Sequence, residues 1–382
     1  MVAPTVSTNT DAARTDWTAL ANELGPSFAA RAAAHDSRDD FVHENYADLK
    51  KHRIFSAGVP AELGGGGASY AELCAMLRTF AHSCGSTALA LSMHTHQVAI
   101  SAWRWRHERA PVDVFLRRVA TEELILVSSG GSDWLPGSSR AEKVDGGYRI
   151  TGRKVFASGC PGGQLLMTCA ILDDPETGPT ILHFPVALDA PGVTILDTWH
   201  TLGMRGTGSH DVRIEGVFIP DAAVGVRRSS GKWHPLFHLI AMVAFPLIYA
   251  VYVGIAEAAR EYAVGEAREK TEDPNLPYLV GEMENELFAA RTTLQHMIEM
   301  ASRATPGPET TSEVMIGRTL AGRAAIRTVE KALEVAGGRA FYRSHPLERL
   351  IRDVQAARFH PLQEKPQLRY TGRLALGLDI DG

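Results

Sequence analysis

Two short stretches carry side chains that could hold a flat ligand and act on it. The first is SSGGSD, residues 128–133, entered by the apolar run Leu124 to Val127. Its small residues let a ligand approach the main chain closely, and its hydroxyls can add directed hydrogen bonds. The second is KVFAS, residues 154–158, which brings back one aromatic, Phe156, and one hydroxyl, Ser158. An apolar wall with a few placed polar groups is how small-molecule sites are built. On their own, these stretches read first as a polar hairpin loop in a β domain. Histidines are the other candidates: His94 and His96 with Gln97 in one apolar run, then His238 and His360. Imidazoles can take or give a proton near neutrality. His94 and His96, at i and i+2, do not share a helix face, which argues against a metal pair. Either one alone reads first as a satisfied core histidine.

Composition narrows the classes. A chain of 382 residues implies two or three domains. Hydrophobic content of 45% supports a large core, and a formal charge of −5 gives no electrostatic reason for a nucleic-acid partner. Cys74, Cys84, Cys160 and Cys169 form no CxxC pair and suit a reducing compartment. The first residues, MVAPTVSTNTDAARTDW, contain no apolar signal-peptide core, so a cytoplasmic protein is expected. The glycines of GMRGTGSHD are followed by a strand pattern where a dinucleotide loop needs a helix. GGSDW does not match the GxSxG elbow of a hydrolase.

The elements that would position these residues fall into three blocks. Residues 1–10 read as disordered. From Asp11 to about Arg118 the pattern is helical, with Leu20, Leu24, Phe28 and Ala32 along one face. Gly64 to Gly67 break the chain, and Ser69 with Glu72 forms a capping box for the next helix. Residues 119–226 read as strands and turns. In DVRIEGVFIP, Val212 and Ile214 alternate, and then Val217 and Ile219, with Gly216 at the break. From about Lys232 the chain is helical again. Leu236 to Ala256 has no Lys, Arg, Asp or Glu and is long enough to span a membrane. It runs directly into Glu257 and Arg260, and His238 and Pro246 interrupt it, so a buried helix is preferred. Helices follow near 278–303 and 309–336, ended by Gly337 and Gly338. One more begins at HPLERLIRDVQAARFH, and a polar tail closes the chain.

Helices, then strands, then helices, with these motifs in this order, resemble the acyl-CoA dehydrogenase superfamily over roughly residues 15–360. VPAELGGGGASYAEL resembles the family's P-E-x-x-G-G-x-G turn. SSGGSD, Asp133 included, resembles its T-E-P-x-x-G-S-D flavin loop without the Glu-Pro. GRKVFAS resembles G-x-K-x-W-I-T, with Phe156 for the Trp and Ser158 for the Thr. LGMRGTGSHDVRIEGVFIP, EVAGGRAFY and LERLIRDV resemble three further family motifs. The resemblance implies an α+β fold: an N-terminal helical domain (11–118), a middle β-barrel domain (119–226) and a C-terminal four-helix bundle (227–382). It implies a flavin, FAD or FMN, held by Ser128, Ser129, Gly131, Ser132, Phe156, Ala157 and Ser158. Gly337 and Gly338 would serve the nucleotide or phosphate end in a neighbouring subunit of a homotetramer.

Departures from the family pattern bear on the chemistry. The dehydrogenases need an ionised carboxylate to remove an α-proton. Where the family's Glu is expected after R-D, this chain has Pro361, and the earlier position used by some members carries His238. Glu364 lies about a turn further on, beyond the proline. FHPL resembles instead the flavin-dependent monooxygenase branch, such as dibenzothiophene monooxygenase, with His360 at the characteristic distance and His94 on the N-terminal helix. The segment that grips FAD pyrophosphate in dehydrogenases is degraded to AREKTED, leaving Arg268 for a phosphate and fitting FMN. The expectation is a monooxygenase of a small organic substrate, with His360, His94 and Ser158 as catalytic groups and a flavin reductase as partner. The alternative is an acyl-CoA dehydrogenase with an unusual base, an acyl thioester substrate and an electron-transfer flavoprotein partner. The retained flavin loop argues against a catalytically silent scaffold. Arg349, Arg352 and Asp353 read as structural ion-pairing residues.

Overall fold

The structure is a computed structural model that describes residues 15–129, 133–270 and 272–382. The disorder expected at 1–10, and the flavin-loop residues Gly131 and Ser132, lie outside these. Five helices open the fold: α1 (Trp17–Arg38), α2 (His43–Lys51), α3 (Tyr70–Ser83), α4 (Gly85–Trp103) and α5 (Asp113–Glu122). Asp16 caps α1 by accepting from Thr18 N at 3.1 Å and Ala19 N at 2.9 Å. Leu24, Phe28 and Ala32 lie on its buried face, as their spacing predicts. The Ser69–Glu72 capping box is present at the start of α3. α4 is buried almost all round and ends in a π-helical turn, Arg104–Glu108.

Eight strands follow: β1 (Leu126–Ser128), β2 (Arg140–Val144), β3 (Gly147–Lys154), β4 (Leu165–Asp174), β5 (Gly178–Ala187), β6 (Val193–Leu196), β7 (Asp211–Pro220) and β8 (Val226–Ser229). They form one sheet in the order β6-β7-β3-β2-β4-β5-β8, with β1 also on β4. β1 and β2 share one edge of β4, both parallel to it. This corrects the barrel expectation. β6 and β8 stand at opposite ends and do not pair among the described residues, so the sheet is open. Each is four residues long and leads elsewhere, β6 into the Trp199 loop and β8 into the next helix. Burial in β7 changes phase at Gly216, where φ is +64° and the register against β3 slips. Such a bulge returns Val217 and Ile219 to the core face after Val212 and Ile214.

The C-terminal part is three long helices, α6 (Pro235–Ala267), α7 (Leu276–Arg303) and α8 (Pro308–Ala336), and two short ones, α9 (Pro346–Val354) and α10 (Glu364–Ala375). The expected four-helix bundle is therefore three long helices with short ones against them. The expected polar tail contains a helix: Pro366 falls in the first turn of α10, where a missing N–H is tolerated. α6 packs on α3, α4, α7, α8 and α9. One hydrophobic core runs through the N- and C-terminal helices, and the sheet has its own. Of the apolar window that could span a membrane, 94% is buried inside the fold. Where α6 crosses α3, a Cβ on Gly254 would lie 2.3 Å from the Arg78 carbonyl oxygen. That oxygen is helix backbone and cannot rotate away. Gly254→Ala is therefore expected to push the helices apart and lower stability by about 1–3 kcal/mol, the range for overpacking a close contact. Chemical denaturation would show this as a reduced midpoint, and an unchanged midpoint would refute so close a crossing.

Candidate active site

A cavity of about 960 Å³ opens where the sheet, α4, α6 and the segment after α9 meet. Its size suits an organic ligand larger than a single small substrate. Ser128, Ser129, Phe156 and Ser158 line one wall, so the two sequence stretches converge. Ser129 Oγ accepts from Thr168 Oγ1 at 3.0 Å, and Ser128 Oγ lies 3.8 Å from the Met93 sulfur. Ser158 Oγ accepts from Ser209 Oγ at 2.7 Å, and Thr207 Oγ1 lies 2.7 Å beyond Ser209. Phe156 has φ of +55°, uncommon for a bulky residue, and is 53% exposed, edge-on to Trp199 at 5.9 Å. Strained backbone of this kind is held only where its surroundings demand it.

Two buried cations anchor the turn that enters this wall. Lys154, fully buried on β3, donates to Asp133 at 3.0 and 3.2 Å, to Ser138 O at 2.9 Å and to Cys169 O at 2.5 Å. Ser138 Oγ also donates to Asp133. Arg228 on β8 donates to the carbonyls of Leu135 at 2.7 Å and Trp134 at 2.8 Å, and to His183 Nε2 at 3.0 Å. Segment 133–138 is thus fixed by side chains from two separate strands, β3 and β8.

Three imidazoles face the cavity: His96, His183 and His360. Each has its Nε2 beside a donor. His360 Nε2 lies 2.5 Å from the Tyr252 hydroxyl, His183 accepts from Arg228, and His96 Nε2 lies 3.2 Å from the Gln97 amide nitrogen. Burial pushes His360 down to about 3, with Arg318 and His96 adding to the effect. Burial likewise holds His96 at about 4 and His183, beside Arg228, at about 3. All three are neutral at physiological pH. Burial thus works against the protonation near neutrality that its residue type suggests.

The other expected groups lie elsewhere. His94 does not line the cavity. Its Nε2 lies 2.7 Å from Phe55 O and its Nδ1 accepts from Leu126 N at 3.0 Å, so it ties α4 to β1 as a core histidine. His94 has the contacts of a satisfied core histidine, and its neighbour His96 lines the cavity. Ala157 is buried in the sheet core. Arg268, Gly337 and Gly338 are exposed on the C-terminal helices and do not line the cavity of their own chain. His238 is bonded to Thr311 at 2.8 Å and stacked on Trp233. Glu364 pairs with Arg323 on the surface. Arg352 pairs with Asp36 at 2.6 Å and Glu348 at 2.8 Å, joining α9 to α1. Buried Asp353 accepts from Met204 N at 2.5 Å. These are structural contacts, as anticipated.

Sequence reasoning missed Tyr252 and Arg228, and it chose His94 over His96. For His96 the only signal was its two-residue offset from His94, which puts one of the pair on whichever face the other leaves. Among the described residues, the one carboxylate lining the cavity is Asp133, and Lys154 holds it.

Family comparison agrees with this architecture. The family described as "Acyl-CoA dehydrogenase, N-terminal domain" matches residues 18–108, and "Acyl-CoA dehydrogenase, C-terminal domain" matches residues 247–364. L-evernosamine nitrososynthase of a Micromonospora species is 31% identical, covering 97% of this chain and 92% of that protein. The chain belongs to the acyl-CoA dehydrogenase family. Both branches appear among its relatives. A putative acyl-CoA dehydrogenase of Bacillus subtilis, YdbM, is 28% identical over 90% of this chain and 92% of its own length. Dibenzothiophene monooxygenase of Rhodococcus erythropolis is 27% identical over 92% and 91%. The solved structure of KijD3 with FMN and a dTDP-linked amino keto-sugar is similar with a TM-score of 0.87, 27% identity and 96% coverage of both chains.

Removing one partner from a buried ion pair strands the other. Lys154→Met is expected to cost about 3–5 kcal/mol, seen as a lowered denaturation midpoint. Asp133→Ala added to it should recover part of that loss. If the single variant is as stable as the parent, Lys154 does not anchor the turn.

Proposed function

We propose that this chain is a flavin-dependent oxidoreductase that uses reduced flavin and oxygen to oxygenate a small organic substrate. One observation carries the choice over dehydrogenation: no free carboxylate faces the cavity among the described residues, and Pro361 lines it where the dehydrogenase base is expected. An α-proton acceptor must be ionised and within hydrogen-bond reach. Asp133 is held by Lys154, and Glu364 is turned to Arg323. The branch named by dibenzothiophene monooxygenase and the nitrososynthases supports the same reading. Acyl-CoA dehydrogenation with an unusual base is the alternative, and YdbM keeps it in view.

The residues present fit a flavin. Serine hydroxyls at 128, 129 and 158 supply hydrogen bonds on one wall, and Phe156 and Trp199 supply aromatic surface. We assign the cofactor as FMN or FAD, FMN being the one bound in KijD3. Bound and reduced, it supplies the electrons for oxygen chemistry. The chain's own groups orient and exclude. Ser158, fed by Ser209, offers a hydroxyl at the ring edge, while His360 and His96 present neutral polar atoms toward the substrate. The apolar residues of α4 and α6 keep water out, which protects reactive species from hydrolysis. In this reading Gly131 and Ser132 belong to the flavin loop, and Ala157, buried in the sheet core, lies between the two cavity-lining residues Phe156 and Ser158. A flavin reductase supplies the reduced cofactor, and the protein works in the cytoplasm.

We further assign a homotetramer. α6 is covered within its own chain, so the apolar helix is not the reason. Tyr278, Phe288, Phe341 and Tyr342 are 70–89% exposed in the C-terminal part, large side chains that contact with another subunit would cover. Arg268, Gly337 and Gly338 lie on the same helical part and would meet the flavin phosphate of a neighbouring subunit. Light scattering should give a mass near four chains, and a stable monomer would refute the assembly.

The reaction type is tested by anaerobic mixing of flavin-loaded protein with a panel of acyl-CoA thioesters. Loss of a positioned base lowers rates by about two to four orders of magnitude, so the flavin absorbance should bleach slowly or not at all. Reduced flavin with oxygen should instead be consumed. Rapid bleaching by any acyl-CoA would overturn the oxygenase reading.

A further inference from the structure

His360 and Tyr252 meet where α6 passes the segment after α9. The Tyr252 hydroxyl is fully buried and lies 2.5 Å from His360 Nε2. Two proton arrangements are possible. If Nε2 carried the proton and donated, the Tyr252 O–H would be left without an acceptor, since the hydroxyl has no second partner among the described residues. A buried unmatched donor of that kind costs about 1–3 kcal/mol. If the phenol donates, the buried hydroxyl is satisfied, and the ring proton must sit on Nδ1, which has no partner among the described residues and is left to the cavity. Rearrangement is resisted by the backbone around the ring. Arg318 donates to His360 O at 2.8 Å, the Tyr249 hydroxyl donates to Ala357 O at 2.6 Å, and Pro361 follows directly.

We propose that Tyr252 is a positioning residue that locks His360 as the Nδ1–H tautomer, so that His360 offers the cavity a fixed hydrogen-bond donor and does not act as a general base. The groups around the pair oppose any change. Arg318 on α8 disfavours an imidazolium, as does His96 on α4. On the phenol side, burial with Tyr249 and Asp353 holds the Tyr252 proton well above its ordinary range, with Arg318 only partly offsetting this. Tyr252 is therefore a donor that does not ionise. Whatever lies against His360 must accept a hydrogen bond, so a ligand carbonyl, ring nitrogen or oxygen substituent fits and a second donor does not. The inference rests on the oxygenase reading for what that acceptor belongs to, and on the contacts above for the tautomer.

The test is nitrogen NMR of the full chain labelled with ¹⁵N-histidine, with His360→Gln used to assign the His360 signals. The native protein should show His360 as Nδ1–H alone, unchanged from about pH 6 to pH 8, the window in which an ordinary histidine titrates. Tyr252→Phe should introduce the Nε2–H form or a titration within that window. Tyr249→Phe removes an equally buried hydroxyl bond from the same segment and should leave the tautomer as it was. An Nε2–H or titrating His360 in the native protein would overturn the proposal, as would an unchanged signal in Tyr252→Phe. Separate titration with FMN and FAD tells the two ideas apart. Failure of both to bind removes the flavin reading and leaves the tautomer result standing.

Discussion

The absence of charge along α6 constrains this molecule more than any other feature. From Pro235 to Ala256 the helix carries no ionised side chain, and its residues are buried on nearly every side. A helix apolar all round must be surrounded, and no single neighbour can do it. α3 and α4 cover it from the N-terminal part, α7, α8 and α9 from the C-terminal part. That is why helices separated by a whole sheet in the sequence share one core. The cavity lies along the stretch of α6 where that cover is incomplete, at Phe237, Ile240, Phe245 and Ile248, and the sheet closes over it. Fold and site thus follow from the same requirement.

A cavity bounded by such a helix is poor in dielectric, and the polar groups around it are arranged to suit. Asp133 and Lys154 neutralise each other at contact distance, and Arg228 spends its donors on carbonyls and on His183. Interactions among charges strengthen as the effective dielectric falls, and an unpaired one there is strongly penalised. The imidazoles escape that penalty by staying neutral, each beside a donor. The site therefore offers directed hydrogen bonds without net charge, suited to holding a flat heteroaromatic ring.

What could be read from the sequence is what depends on local spacing. The face of α1, the Ser69–Glu72 cap and the bulge at Gly216 are all set within a few residues. What could not be read depends on pairing or phase. His94 and His96 lie on different faces, but α4 is buried all round, so apolar periodicity does not tell which face meets the cavity. Lys154 and Asp133 are 21 residues apart, and Tyr252 and His360 are 108 apart. An open sheet and a closed barrel have the same alternation along each strand, and only the pairing of the end strands distinguishes them.

The lack of a carboxylate just beyond α9, where Pro361 stands beside His360, has a physical logic in these terms. Asp353, near the end of α9, shows what the region does to an acid. Burial pushes it up to about 6, against the pull of Arg349 and the Met204 N–H. A carboxylate a few residues further on, facing an apolar cavity without a cation, would meet the same penalty and would hold a proton more readily than a general base should. Ionising it would require either water in the cavity or a positive partner. The nearby cation, Arg318, already donates to the His360 carbonyl. A histidine needs neither, because its neutral form is the useful one here, and Tyr252 settles which nitrogen carries the proton. Pro361 follows the imidazole directly, and both line the cavity. On the proposed reading, His360 and Pro361 give the cavity an edge that holds an acceptor in place and does not abstract a proton.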